Sequence, residues 1–324
     1  MSPKPEAPPR TSDEPDNRRR PEPTNKIVEM PERPSDRDPK DEADPEVRAA
    51  SELPEEPLEE PQKPYRQILL NELNTGLEEF HRPSLGLLLS SLSGGLDVSF
   101  SLLLMAAMRT VVRHDFSQAL TTLLVANMYA IGFIFVVVGR SELFTEHTSR
   151  AMFPVMSGYA GWGSLARLWT LVYLGNMAGV MAFSALLAYA GPPLKIIDSV
   201  GFAAMSRPLL ERTWLLTLIA AGLAGWLMGL LAWLVSACRD TVSQIVIVWI
   251  VTSAIGLVGL PHAIVGAGEV LVSVFAGQDT TWGEFFPFLL WTTIGNGLGG
   301  IIFVAGLKYS HSTRGSESSE TAGV

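Results

Sequence analysis

Few residues in the apolar part of this 324-residue chain can do chemistry, and they gather at two places. His262 stands in Gly256-Leu-Val-Gly-Leu-Pro-His-Ala-Ile-Val-Gly266. An imidazole exchanges protons near neutral pH, so it can protonate or stabilise a small anion. An ionisable group at membrane depth is costly and marks a functional site by default; the bland alternative is a neutral ring bonded to a carbonyl. Thr145 ends the run Gly139-Arg-Ser-Glu-Leu-Phe-Thr145. Its hydroxyl, with the N–H groups of a helix start, can replace part of an anion's hydration shell; the bland alternative is a helix N-cap. Leu143 and Phe144 beside Thr145, and Leu257 and Leu260 beside His262, suit an apolar constriction or plain packing. Glu142 and Arg140 read as a structural pair, with each other or with another loop. Asp97 and Glu269 are expected to face the protein interior. Glu269 follows His262 by seven residues, two turns along one helix face, and is placed to modulate the imidazole.

Other chemistries find no support. His81, His114, His147, His262 and His311 show no metal-ligand spacing, so no metal and no cofactor is expected. The glycines lie within apolar segments rather than in a phosphate-cradling loop. No nucleophile–base pattern and no nucleic-acid signature is present, and an enzyme is not expected. The single cysteine, Cys238, gives no internal disulfide.

The elements that must position these residues are membrane spans. Residues 1–64 carry 18 Asp/Glu against 11 Lys/Arg, most of the net charge of −9, and 15 of the 22 prolines. Such a stretch cannot bury enough apolar surface to fold and reads as a disordered tail. Residues 311–324 read as a second tail. From 83 to 310, ten basic and ten acidic residues are spread through long apolar runs. A crossing needs roughly 20 apolar residues, and six segments qualify: about 85–108, 116–139, 163–190, 212–237, 242–276 and 283–308. The second runs into the polar stretch before Thr145. The fifth is too long for one crossing and is interrupted by Gly256, Gly259 and Pro261. Such breaks survive in a bilayer only where they face protein or a polar pathway. Residues 65–82 carry Ile68, Leu69, Leu73, Leu77 and Phe80 at helical spacing and read as an amphipathic interfacial helix. The start of the chain is polar and Pro-rich without an early apolar core, so the first span is expected to serve as insertion signal. An even number of spans puts both termini on one side, and the long charged tail argues for the cytoplasm.

Gly175-Asn176-Met-Ala-Gly179-Val-Met-Ala-Phe183 lies 120 residues before Gly295-Asn296-Gly-Leu-Gly299-Gly-Ile-Ile-Phe303. Both read G-N-x-x-G-x-x-x-F. Small residues at this spacing also serve helix packing. Phe144–Thr145 lies 117 residues before Pro261–His262. Three duplicated spans are an odd number, so the second copy must insert upside down, with a pathway at the interface of the repeats.

These features resemble the formate/nitrite transporter family over roughly residues 70–310. The carrying residues are Glu142-Leu-Phe-Thr145, Trp162 to Trp169, Tyr173-Leu-Gly-Asn-Met-Ala-Gly179, Gly259-Leu-Pro-His262 and Thr293-Ile-Gly-Asn-Gly-Leu-Gly-Gly300. The resemblance implies an all-α integral membrane fold of six transmembrane helices, an aquaporin-like inverted repeat with helices two and five broken. It implies a homopentamer in the plasma membrane with one pore per subunit. Thr145 and His262 would line that pore, with Leu143 and Phe144 narrowing it. Small monovalent anions such as formate or nitrite would pass, with proton exchange at the histidine. The chain departs from the pattern of formate channels in three places. Pro261 replaces an acidic residue before the histidine, Leu209 or its neighbours align with a lysine, and Trp226 aligns with an asparagine. Arg207 and Arg212 are the nearest replacement cations. The alternative is an aquaporin-like channel for water or neutral solutes, although no paired Asn-Pro-Ala caps are present.

Overall fold

The computed structural model describes residues 63–112, 115–197 and 199–311, all helix and connecting loop. The expected tails lie outside them, apart from a few residues at their inner ends, as do Arg113 and His114. A helix α1 (Tyr65–His81) precedes the first long helix, Ser84–Val112, which bends at Ser99 into α2 (Ser84–Val98) and α3 (Phe100–Val112). The chain continues through α4 (Gln118–Gly139), the short α5 (Phe144–Arg150) and α6 (Met152–Met156), α7 (Trp162–Ala190) and α8 (Ser199–Leu210). Then come α9 (Trp214–Ala237), α10 (Thr241–Val258), α11 (Ala263–Phe275) and α12 (Trp282–Gly300), which runs on through a π-helical turn, Ile301–Gly306, to His311. Six helices are long and apolar enough to cross a membrane; five lie within a few residues of the segments expected, and the fifth segment, expected at about 242–276, is divided at its break into Thr241–Val258 and Ala263–Phe275.

The helix starts follow capping chemistry. Ser117 accepts from the Leu120 amide, Thr213 from Leu216, and Asp240 from Ser243; Thr281 and Glu284 form a reciprocal capping box. The two breaks are built alike. α4 ends with Arg140 in the left-handed region (φ 56°) and the Ser141 amide on the Val136 carbonyl at 3.0 Å. α10 ends with Gly259 (φ 67°) and the Leu260 amide on the Ile255 carbonyl at 3.0 Å. Both are left-handed helix terminations in which a late amide satisfies an orphan carbonyl.

Two asparagines hold the chain as it re-enters helix. Asn176 Oδ1 accepts from the Phe144 amide (2.8 Å), while its Nδ2 donates to the carbonyls of Ser91 (2.7 Å) and Glu142 (2.8 Å). Asn296 Oδ1 accepts from the Ala263 amide (2.7 Å), and its Nδ2 donates to the carbonyls of Ala221 (2.8 Å) and Pro261 (3.1 Å). The G-N motifs therefore pack helices and also bind the breaks. Their neighbours fit too closely for a side chain. A Cβ on Gly95 would strike the backbone of Asn176, one on Gly179 the Leu92 carbonyl, one on Gly225 the Asn296 carbonyl, and one on Gly299 the Gly222 carbonyl. Gly175 and Gly295 are likewise closed against Ser91 and Ala221. These contacts pair α2 with α7 in one half and α9 with α12 in the other, so the halves repeat. The equivalences Glu142 with Pro261 and Phe144 with Ala263 set the offset at the breaks to 119 residues, where the sequence reading took 117. Thr145 and His262 are thus not equivalent positions, since they flank equivalent clamps on opposite sides.

α1 packs on the bundle through Ile68, Leu73 and Gly76, the last against Pro154 and the Arg150 carbonyl. Its buried stripe also contains Glu72 and Glu79, which an ordinary apolar face would exclude. The Tyr65 hydroxyl donates to the Lys308 carbonyl (2.8 Å), its ring lies 4.8 Å from Trp233, and Lys63 Nζ donates to the Ser236 carbonyl (2.8 Å).

Three outcomes follow. Gly225→Val should lower the unfolding midpoint of the detergent-purified protein by the equivalent of about 1–3 kcal/mol or more, because backbone, not a flexible side chain, must yield. Gly86→Ala, at a position with open space around it, should leave the midpoint unchanged or slightly higher. Asn176→Ala should destabilise by about 1–3 kcal/mol for each buried group orphaned, measured in the same thermal assay.

Candidate functional site

The second break delivers His262 in extended conformation (φ −106°, ψ 132°) as the N-cap of α11. Its Nδ1 accepts from the amides of Ile264 (3.3 Å) and Val265 (3.2 Å). A ring nitrogen that accepts carries no proton, so the neutral imidazole holds its proton on Nε2. Nε2 lies 2.7 Å from Thr145 Oγ1 and donates to it. Thr145 is the second residue of α5, whose N-cap is Leu143. Its hydroxyl caps nothing, since Asn176 serves the Phe144 amide. The hydroxyl is left with a donor of its own at a point where both side chains are at most 1% exposed.

Aromatic and aliphatic groups enclose the pair. The Phe133 ring stands edge-on to His262 at 5.1 Å (89°), with Tyr129 behind it at 5.2 Å. On the Thr145 side, Phe144 meets Tyr173 (5.0 Å) and Trp169 (6.3 Å), and Leu143 is fully buried. A polar donor pair inside an apolar collar strips water from a small solute and offers it a few directed hydrogen bonds in return. Phe133 and Tyr129 were missed by sequence reasoning. Both sit in the apolar run of α4, where nothing distinguishes a lining residue from a packing one.

The remaining expected site residues divide. Leu260 is partly buried on the core. Leu257 is 48% exposed: α10 turns Val248, Val251, Thr252 and Ile255 inward, and Leu257 falls off that face. It is not brought to the His262 site, contrary to expectation. Glu142 does not pair with exposed Arg140; it bonds Arg82 and His147. Asp97 accepts from Ser141 (2.6 Å) and Ser93 (3.1 Å). Arg207 is held by Glu284 (3.4 Å) and the Asp279 carbonyl. Arg212 approaches the second break, with Nη2 3.6 Å from where a Gly259 Cβ would stand. Glu269 lies in α11 within the electrostatic influence of Arg109 and Arg212. Leu209 is buried and comes near Gly266 of α11, while Trp226 stacks on Phe303 at 4.5 Å on the exposed surface.

A buried ionic cluster, also unforeseen, joins α1 to α5. His147 has Nδ1 2.5 Å from Glu79 and Nε2 2.6 Å from Glu142. Arg150 reaches Glu72 (3.4 Å), Glu79 (3.7 Å) and Glu146 (3.8 Å), and Arg82 closes on Glu142. Glu79, Glu142 and His147 hold donor atoms within 4.8 Å of one another, a spacing open to a metal ion. The two ring nitrogens, however, face different carboxylates from opposite edges. An imidazolium answers that geometry, hydrogen-bonded through Nε2 to Glu142 and ion-paired on its Nδ1 side with Glu79, and one metal ion could not take both nitrogens. The sequence signal was present in Glu72 and Glu79, seven residues apart on one helix face.

Comparison with known proteins agrees with this architecture. The family model described as Formate/nitrite transporter matches residues 66–310. The Inner membrane protein YfdC of Escherichia coli K12 is 29% identical over 262 residues, 78% of this chain and 81% of that protein. The Nitrite transporter NirC of the same organism is 26% identical over 236 residues, 71% of this chain and 84% of its own. A solved structure titled Pentameric formate channel with formate bound superposes with a TM-score of 0.60 at 20% identity, covering 74% of this chain and 98% of that one. With six spans, two clamped breaks and a family match over nearly all the described residues, this chain is a multi-pass membrane protein of the formate/nitrite transporter family.

Proposed function

We propose that the chain conducts small monovalent weak-acid anions, formate and nitrite among them, through a conduit that narrows at Thr145 and His262. The observation that carries this reading is the buried 2.7 Å contact between the threonine hydroxyl and the imidazole Nε2, ringed by Phe133, Phe144 and Leu143. The relatives named for formate and nitrite support the substrate class. An anion reaching the pair displaces one hydrogen bond and gains two donors, Nε2–H and the hydroxyl.

Proton exchange at His262 has a structural cost. The neutral ring uses Nδ1 to cap α11, so a second proton there removes the acceptor of the Ile264 and Val265 amides and sets a cation against a helix N-terminus. Imidazolium therefore forms only with an anion beside Nε2; passing the Nε2 proton to that anion leaves the other proton on Nδ1, and the cap returns once Nε2 regains a proton from water and Nδ1 releases its own. The anion then leaves the narrow point as its neutral acid. The pentameric neighbour supports a homopentamer with one conduit per chain. Both termini face the cytoplasm in this reading, with α1 at that surface.

His262→Asn tests the proton step, because asparagine preserves an N-cap while removing the titratable ring. In proteoliposomes the variant should take up formate and nitrite with a flattened pH profile and an intact oligomer. An unchanged profile would overturn proton exchange. His262→Ala should in addition lose about 1 kcal/mol of stability through the missing cap. Uptake of glycerol but of neither anion by the parent protein would replace the reading with a neutral-solute channel.

A further inference from the structure

The two ends of the fold are unequally supplied with carboxylates. Around the first break the two guanidinium groups of the ionic cluster are matched, Arg82 by Glu142 and Arg150 by Glu72, Glu79 and Glu146, while Arg140 is exposed to solvent. Around the second break, Arg109 near the end of α3 and Arg212 before α9 act through their charge on one carboxylate, Glu269, without an ion pair to it among the described residues. Other acids near these two in sequence do not make up the deficit: Asp115, Glu211 and Asp279 are exposed, and Glu284 is engaged by Arg207. Three donors here are buried with no partner among the described residues: Arg109 Nε, Arg212 Nη1 and Tyr129 Oη. Tyr129 lies under the influence of Glu269 as well. Donors sealed from water inside a membrane domain cost several kcal/mol each unless something accepts from them. Among the described residues, two guanidinium groups against one carboxylate leave a surplus positive charge, which favours an anion over water as that acceptor.

The cluster adjoins the conduit. Glu269 lies two turns beyond His262 on the same face of α11. Tyr129 packs on Phe133, which packs on His262. Arg212 approaches Gly259 within the break itself. We propose that Arg109, Arg212 and Tyr129, arranged around Glu269, bind one small planar oxyanion of the formate or nitrite type and deliver it to the Thr145–His262 pair. The inference rests on the anion-channel reading and adds a loading site to it. Guanidinium forks suit a planar oxyanion, and Glu269 limits the net attraction so that the ion is released onward.

The test uses the purified full-length oligomer and two readouts. One is the concentration dependence of formate and nitrite uptake in proteoliposomes. The other is thermal stabilisation of the detergent-solubilised oligomer by sodium nitrite, with sodium gluconate as ionic-strength control. Arg109→Gln and Arg212→Gln should each raise the half-maximal nitrite concentration about tenfold in both readouts, the loss of one charge-assisted hydrogen bond. Glu269→Gln should lower it, because a competing acceptor is removed. Half-maximal concentrations within about twofold of the parent for all three variants would overturn the site and leave water as its occupant. If the parent passes neither anion, the channel reading falls, and the nitrite stabilisation readout still decides the site. If the arginine variants do not form an intact oligomer, Glu269→Gln decides alone: tighter nitrite binding supports the site, while unchanged or weaker binding overturns it.

Discussion

The fold depends on two side-chain amides that bond backbone where helices stop inside the protein. A break in a membrane helix exposes N–H and C=O groups that lipid cannot satisfy. Asn176 and Asn296 each take one amide and two carbonyls, using three of the four hydrogen bonds a side-chain amide can make. Close packing of α2 on α7 and of α9 on α12, through glycines with no space for a Cβ, brings the asparagines within reach. Thr145 follows one clamped amide and His262 precedes the other, so the clamps set the distance between hydroxyl and imidazole.

The ionic cluster is a different kind of constraint. Charges at this burial survive only when matched, and removing one partner leaves the other uncompensated at a cost of about 3–5 kcal/mol. His147 and Arg150 lie on the helix that carries Thr145, and their carboxylates come largely from α1. The surface helix is thereby coupled to the helix that presents the hydroxyl. Tyr65 and Lys63 fix its other end to the chain near Lys308 and Ser236.

Much of this was legible in the sequence because bilayers restrict the choices. Long apolar runs gave the six spans, Gly259 and Pro261 marked the second break, and the G-N repeat marked the duplication. Thr145 and His262 stood out as a hydroxyl and an imidazole beside the breaks. What was not legible depended on three-dimensional register. The offset of 117 paired residues of similar chemistry, whereas the backbone bonds pair Glu142 with Pro261. Leu257 looked like Leu260, yet it stands on the exposed side of α10, whereas Leu260 lies beyond the left-handed Gly259 in the break and packs on the core. The partners of His147 were hidden by distance along the chain, since Glu79 lies 68 residues away. Glu142 and Arg140 read as pairing with each other or with another loop; Glu142 does the second, bonding Arg82 between α1 and α2, while Arg140 is exposed.

Both asparagines, both clamped helix starts, the threonine and the histidine belong to a single chain. The residues of the proposed narrow point therefore come together within one copy. In the proposed homopentamer with one conduit per chain, a damaged copy mixed with intact ones subtracts its own share and leaves its companions conducting.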